Sequence, residues 1–492
     1  MIRAIAAKEF LANLLTWRFG LAVAASVVLM SVSAVVLRAD YARRLDAHEA
    51  ELARIRTGLE KISSYSRLRE TVSRPPSPLS VFSEGLEKRM GTILRFSHAK
   101  VPTMLTWKKE TNPLVAAFPP FDLATVAGLL FSLMALFCAF DAISGEQERN
   151  TLKLMAANRV ARWQILVGKW LGGGACSLLP AAVGFLLATL ILAGSPRVSL
   201  SGGQWLRVGL IFATMLLYTS AFYLVGLAVS SRVRQSGTAL VACISVWAGC
   251  TIVAPTATAY VVGEIAPLPP ERELRSQWEE IDRRVNDEFW TGFRAMEKAY
   301  ARQLGVKHLG YGILGKSFTH VPMSVGEIVL VGEPDREAIP KLTSFYGRFE
   351  PLRIAAGRDI AELEDRLILA RTRQVWLTRS VSRIFLAAAF RNAVSALAGT
   401  DLYSFEEFIA HARRHRATLA DWMREQGLFT SLYFFSPAPE GVDTSRVPRF
   451  PDYRPSFGSV FGPAAPDLGL LLAANGLALF LGLRWFVRRQ IG

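Results

Sequence analysis

Six stretches of this chain are too long and too apolar for a water-soluble core, and they restrict the fold more than any motif does. Phe19–Leu37, Phe121–Phe140, Ile165–Ala193, Val208–Val229, Thr238–Val262 and Leu468–Val487 each run nineteen residues or more with at most one charge. About twenty apolar residues wound as a helix cross the ~30 Å hydrocarbon of a bilayer. Lipid offers the backbone no hydrogen-bonding partner, so each stretch must satisfy its own amides and is expected to be helical. The first run is longer than a signal-peptide core and reads as an uncleaved span. A hydrophobic share of 51% over 492 residues agrees with a membrane protein.

Between the spans lie two large polar regions, 38–120 and 263–467. In the first, Leu45, Leu52, Ile55, Leu59 and Ile62 keep a helical spacing, so the first span is expected to continue as a long helix. Pro75, Pro76 and Pro78 end that pattern, and Thr92–Phe96 is a candidate strand. In the second, Glu271–Leu304, Asp359–Leu397 and Phe405–Gln426 read as helices and Ile328–Val331 as a strand. Ser380–Gly399 is apolar enough to suggest a seventh crossing, but Arg383, Arg391 and Asn392 favour an amphipathic helix. The fold class is therefore mainly α, six spans carrying a large, mostly helical extracytoplasmic domain with a minor β component.

Residues 1–18 place Ile2, Ile5, Ala6, Phe10, Leu14 and Trp17 at three- and four-residue steps, the pattern of a helix lying in the membrane interface. A plain extension of the first span is the alternative. Segments on the side of the termini carry Arg3, Lys8, Arg149, Arg162, Arg232, Arg234, Arg484 and Arg488, whereas the single short loop opposite has Arg197 and Arg207. The positive-inside bias then makes both termini cytoplasmic. The net charge of +16 comes from 57 Lys and Arg against 41 Asp and Glu. Lipid headgroups account for part of that excess, and no nucleic-acid-binding motif is present. Cys138, Cys176, Cys243 and Cys250 all fall inside apolar runs, so no disulfide framework organises the polar regions.

The segment joining spans two and three, 141–164, is densely charged where its neighbours are not. Asp141, Glu146 and Glu148 precede Lys153, Arg159, Arg162 and Lys169, an order that a single helix would favour through its own dipole. Beyond it, Gly168, Gly172, Cys176, Pro180 and Gly184 recur every four residues, a flat face for close helix packing within the subunit or across a dimer.

Asp141, Ile143, Ser144, Gly145, Glu146, Glu148, Thr151, Leu152 and Leu154, followed by Arg162, Trp163, Gly168 and Lys169, resemble the signature of ATP-binding-cassette (ABC) permeases of the type-2 exporter-like branch. The resemblance implies a multi-pass subunit of the bacterial inner membrane that pairs with a second permease, identical or homologous. ATP would be bound by a separate cytoplasmic ATPase subunit, which contacts the coupling segment at Asp141, Ser144, Gly145, Glu146, Glu148, Thr151, Leu152 and Arg162. The permease itself would hold no cofactor or metal and would not be an enzyme. The two large insertions set this chain apart from common members and point to an extracytoplasmic partner, with export or mechanical work as the output. A membrane-anchored sensor without ATPase coupling is the alternative reading.

Two motifs are weighed and set aside. Gly310–Ser317 satisfies the phosphate-loop spacing but lacks the preceding buried strand that gives the motif its function. His411 and His415 stand four apart, a metal-binding spacing, yet Arg413, Arg414 and Arg416 surround them with positive charge.

Overall fold

The computed structural model describes the chain except residues 60–61, 63–64, 66–67, 91–92, 99, 103–121, 152–159, 268–269, 304–317, 321–327, 331–337, 432–433, 435–441, 452 and 489–492. Six of its helices are long and apolar enough to cross a membrane. Helix α1, Ile2–Leu14, precedes the first span α2, Trp17–Leu59, which runs on unbroken well beyond its apolar part. Strands β1, Glu70–Ser73, and β2, Ile93–Phe96, form an antiparallel pair in which Glu70 faces Phe96. The second span is α3, Leu123–Ala139, and the short α4, Ser144–Glu148, follows it. Then come α5, Arg162–Ala193, α6, Gly202–Arg232, and α7, Ser236–Ile265.

The α5 and α7 spans each contain one wide π-turn, at Trp170–Gly174 and Gly249–Val253. The distal part comprises α8, Glu271–Gln303, the pair β3, Phe318–His320, and β4, Ile328–Leu330, then α9, Ala338–Ser382, α10, Leu386–Ala398, and α11, Leu402–Glu425. The last span, α12, is Phe457–Arg488.

Six such helices among the described residues, taken as crossings, put the two ends of the chain toward one side, here called the terminal face, and the large polar regions toward the other, the distal face. At the centre of the membrane part is α6, packed against α3, α5, α10 and α12. Its Gly226 approaches α3 so closely that an added Cβ would lie 2.7 Å from the Ala139 Cβ. Gly184 of α5 likewise leaves room only for Ser26 and Met30 of α2, and Ser26 Oγ donates to the Pro180 carbonyl at 2.6 Å. Small residues let these backbones meet where lipid supplies no hydrophobic drive.

The stretch expected as one helix over Asp359–Leu397 is two. Its first part begins earlier, at Ala338, and passes through Pro351. It breaks after Ser382, and α10 then dips among α3, α6 and α12 from the distal side. Thirteen residues rise only about 20 Å, too little to cross. Phe390 on α10 stacks on Tyr218 of α6 with ring centroids 4.4 Å apart, and Tyr218 donates to the Gly128 carbonyl at 3.0 Å. Gly399, at φ +70°, ends α10 in the left-handed conformation that suits a glycine helix stop.

In the distal part, α8 and α9 lie side by side, joined by Arg284 and Asp359 at 3.2 Å. One apolar cluster includes Val285, Phe289, Ala356, Leu419 and Met423. A second packs Val72, Leu94 and Phe96 of the β1–β2 pair on Phe405, Phe408 and Ile409 of α11. The phosphate-loop-like Gly310–Ser317 lies outside the described residues. His411 Nδ1 lies 2.8 Å from the Glu407 carbonyl, while His415 faces Glu70 at 3.4 Å, so the two rings turn to different partners.

Candidate functional site

Lys169 is the one lysine or arginine placed inside the apolar run of α5, and a cation there must find acids or be expelled. The structure buries it to 1% exposure between two carboxylates. Its Nζ lies 2.8 Å from Glu9 Oε1 on α1 and 2.9 Å from Glu146 Oε1 on α4. The exposed Lys8 approaches Glu146 more loosely, at 3.8 Å. One ammonium thus ties together the N-terminal helix α1, the segment between spans two and three, and the start of span three.

Close backbone contact holds the same joint from the other side. A Cβ on Gly168 would come within 2.7 Å of Ile5 Cγ2, and one on Gly172 would collide with the Ala6 carbonyl. Gly168 and Gly172 therefore seat α1, while Gly184, farther along the same face, seats α2. The π-turn begins directly after Lys169 and disturbs the regular ladder, and Tyr223 of α6 donates to the Lys169 carbonyl at 3.2 Å.

Asp141, Glu148 and Arg162 of the segment each have a distinct partner. Asp141 pairs with Arg18 of α2 at 2.8 Å, and the Arg18 guanidinium lies over the Phe140 ring. Ser144 is fully buried, and its amide and that of Ile143 donate to Ser230 Oγ at the end of α6, at 3.1 and 3.0 Å. Gly145 fits against Asp141, whose Cβ would be 3.3 Å from an added Cβ. Glu148 accepts from the Ser236 amide at 2.9 Å and hydroxyl at 2.7 Å, placing a carboxylate on the N-terminus of α7. Thr151 is exposed, with its hydroxyl donating to the Glu146 carbonyl at 3.1 Å. Arg162 Nη1 donates to the Val487 carbonyl at 2.7 Å, a cation on the C-terminus of α12. Leu152 lies outside the described residues.

The expectation of a single helix whose dipole orders acids before bases is corrected here. Among the described residues α4 has five residues, and a separate helix starts at Arg162. Arg162 therefore stands at the start of its own helix, the wrong end for a cation, and serves the end of another. What the charge order reflects is five separate partners: α1, α2, α4, α7 and α12. Sequence reasoning missed Glu9, Arg18, Ser230 and Ser236. The signal for Glu9 was present, because Lys169 within an apolar run demands an acid and Glu9 is the lone one in Ile2–Leu14.

A second buried cluster closes the distal face. Asp467 of α12 is wholly buried; its carboxylate lies 3.1 Å from Arg379 Nη2 and 2.9 Å from Arg383 Nε at the end of α9. Arg379 also reaches Asp401 at 3.4 Å and donates to the Pro463 carbonyl.

Six spans, an N-terminal helix locked to the junction after the second span, and a large distal domain define a multi-pass membrane protein of the permease kind. The chain belongs to the ABC-2 family of transporter proteins, whose family model matches residues 3–330. It is similar to the probable ABC transporter permease protein NosY of Pseudomonas aeruginosa, 36% identical over 129 residues, or 26% of this chain and 46% of that protein. The protein of the same description from Stutzerimonas stutzeri is 32% identical over 126 residues, with the same shares. The chain thus spans less than half the length of these relatives.

Proposed function

We propose that this chain is the membrane subunit of an ABC transporter, driven by a separate ATPase that docks on α4 and the turn after it. The observation that carries the reading is the buried Glu9–Lys169–Glu146 joint. A helix of five residues has no apolar face large enough to hold its place, so a push on it would be lost without a rigid attachment. The ammonium passes such a push to α1 and α5 together, and Ser230 passes it to α6. Lys8, Arg149, Arg162, Arg232 and Arg488 on the terminal face support placing that face in the cytoplasm of a bacterial inner membrane.

On this reading the carboxylates of Glu146 and Asp141 act inside the subunit. The ATPase meets the outward side, where Arg149 and Thr151 are exposed. Two permeases pair, and the distal domains handle an extracytoplasmic substrate or partner, with export and mechanical work as the two outputs. The similarity to probable ABC transporter permeases supports an ATPase partner. Co-purification tests it: a cytoplasmic ATPase is expected with the wild-type chain and is lost with Arg149→Glu combined with Thr151→Trp. Retention of the ATPase by that double variant would remove α4 as the docking point.

A further inference from the structure

Helix α9 belongs to the distal part, yet its final turns expose side chains that suit lipid better than water. Among the described residues of 38–120 and 263–456, exposed large apolar side chains gather in one place. Leu369, Val375, Trp376, Val381 and Ile384 all fall at the end of α9 or just beyond it; the others are Ile265, which ends α7, and Trp278 on α8. A water-facing domain rarely exposes so concentrated an apolar surface without a partner for it.

Two contacts fix the level of this patch against the spans. Gln374 Nε2 donates to the Ala266 carbonyl at 3.2 Å, one residue past the end of α7. Farther along, Arg379 and Arg383 reach Asp467 at 3.1 and 2.9 Å. Asp467 is ten residues beyond Phe457, where α12 starts. The end of α9 therefore runs inward beside two spans. Ser382 is eight residues beyond Gln374, at most ~12 Å farther in. Trp376 is then level with the last turn of α7, and Val381 and Ile384 lie on its membrane side. The end of α7 exposes Tyr260, Val261 and Ile265, so the patch continues the outer surface of a span.

Charge identifies what covers it. Arg366, Leu369, Arg373 and Trp376 recur at three- and four-residue steps and are all exposed, forming one stripe. From Arg366 to Thr400 the chain has six arginines and no acid. Two of them, Arg379 and Arg383, serve Asp467, whereas Arg366 and Arg373 remain at the surface. Guanidinium groups outside, an indole at the boundary and branched aliphatics within match the order of phosphates, interface and acyl chains in a leaflet. A second copy of the chain fits worse, because the stripe laid on itself about a two-fold axis would bring arginine to arginine. We propose that the end of α9, with the turn to Ile384, is embedded in the phospholipid of the distal leaflet. Trp376, Val381 and Ile384 enter the acyl region, and Arg373 meets the headgroup phosphates. The patch lies opposite the proposed docking point and requires no ATPase, so its test is independent of the functional reading above.

The test replaces Trp376 or Ile384 by a benzophenone amino acid in the full chain, held in vesicles of phosphatidylethanolamine and phosphatidylglycerol. Photo-adducts are then identified by mass. Both side chains are exposed, so the probe leaves the core intact. The same probe at exposed Leu190 of the α5 span gives the lipid reference, and at exposed Arg446 of the distal part the water reference. Lipid adducts are expected from positions 376 and 384 at the yield of position 190, and none from position 446. A yield at either position no greater than at 446 would mean that the patch faces water. A covalent pair of chains would mean that a second copy covers it. Either result overturns the proposal.

Discussion

The two buried charge clusters, one near each face of the membrane part, are built with opposite logic. On the terminal face one cation, Lys169, is shared by two acids that lie on separate peripheral elements. On the distal face one acid, Asp467, is shared by two arginines, Arg379 in the last turn of α9 and Arg383 just beyond it. The elements joined at the terminal face, α1 and α4, are thirteen and five residues long, and α1 is also seated by close contact with Gly168 and Gly172. The distal pair sits where α9, α10 and α12 already enclose an apolar core that includes Val394, Leu397 and Ala464. Charge therefore joins separate short elements at one face and adds register within already adjoining helices at the other. A buried ion pair is weak evidence for net stability, but breaking one by removing a single partner is costly. That asymmetry makes the contrast testable.

The largest effect belongs to Lys169→Met, which leaves buried Glu9 without a counterion and Glu146 with only the exposed Lys8 at 3.8 Å. A loss of ~3–5 kcal/mol is expected, read as a drop in the thermal midpoint of the purified protein. Glu9→Gln and Glu146→Gln added to Lys169→Met should restore most of it, since the penalty lies in the stranded charges rather than in a missing attraction. Failure of that triple variant to recover would mean that Lys169 acts through packing. Asp467→Asn should cost less, about 1.5–3 kcal/mol, because Arg379 keeps Asp401 and the Pro463 carbonyl. A cost equal to that of Lys169→Met would erase the distinction between the faces.

Glycine separates charge from fit in the same joint. Gly172→Ala forces a methyl against the Ala6 carbonyl and should cost ~1–3 kcal/mol. Protease access to residues 1–18 should rise with it, whereas Gly249→Ala, where nothing lies within 4 Å, should leave both readings unchanged.

How much of this was legible depended on the range of the interaction. The six spans follow from local composition alone, and the charged junction stood out because its neighbours carry almost no charge. Gly168, Gly172 and Gly184 were readable as a packing face from their spacing. Their partners were not, because nothing local distinguishes Ile5 and Ala6 from Met30 as what the face receives. The β1 strand, only Glu70–Ser73, was missed for the same reason: four residues hold their shape through Val72 against Leu94 and α11, a contact across the chain. The single long helix expected over Asp359–Leu397 failed at Arg383, where pairing with Asp467 accompanies the break that lets α10 turn into the membrane part. Local helix propensity has no access to that distant carboxylate.

The smallest expected effect lies in the distal domain. Burial alone would raise the Glu350 carboxyl, but Arg353 and His98 outweigh it and hold the group below its ordinary value of 4.5. Its contribution to stability is complete above the unfolded value and is lost as pH falls through the lowered folded one. Wild type should therefore lose thermal midpoint below about pH 4.5 more steeply than Glu350→Gln, as followed by circular dichroism. Parallel acid profiles would remove Glu350 as a source of that loss.

The central claim is that force enters at the terminal face through α4 and not through the distal cluster. Photo-crosslinking from a benzophenone placed at Thr151, or at Arg446 on the distal side, within the intact membrane complex tests it most directly. The account predicts an adduct with the ATPase from position 151 and none from position 446. An intact complex in which position 151 gives no adduct, or position 446 does, would contradict it.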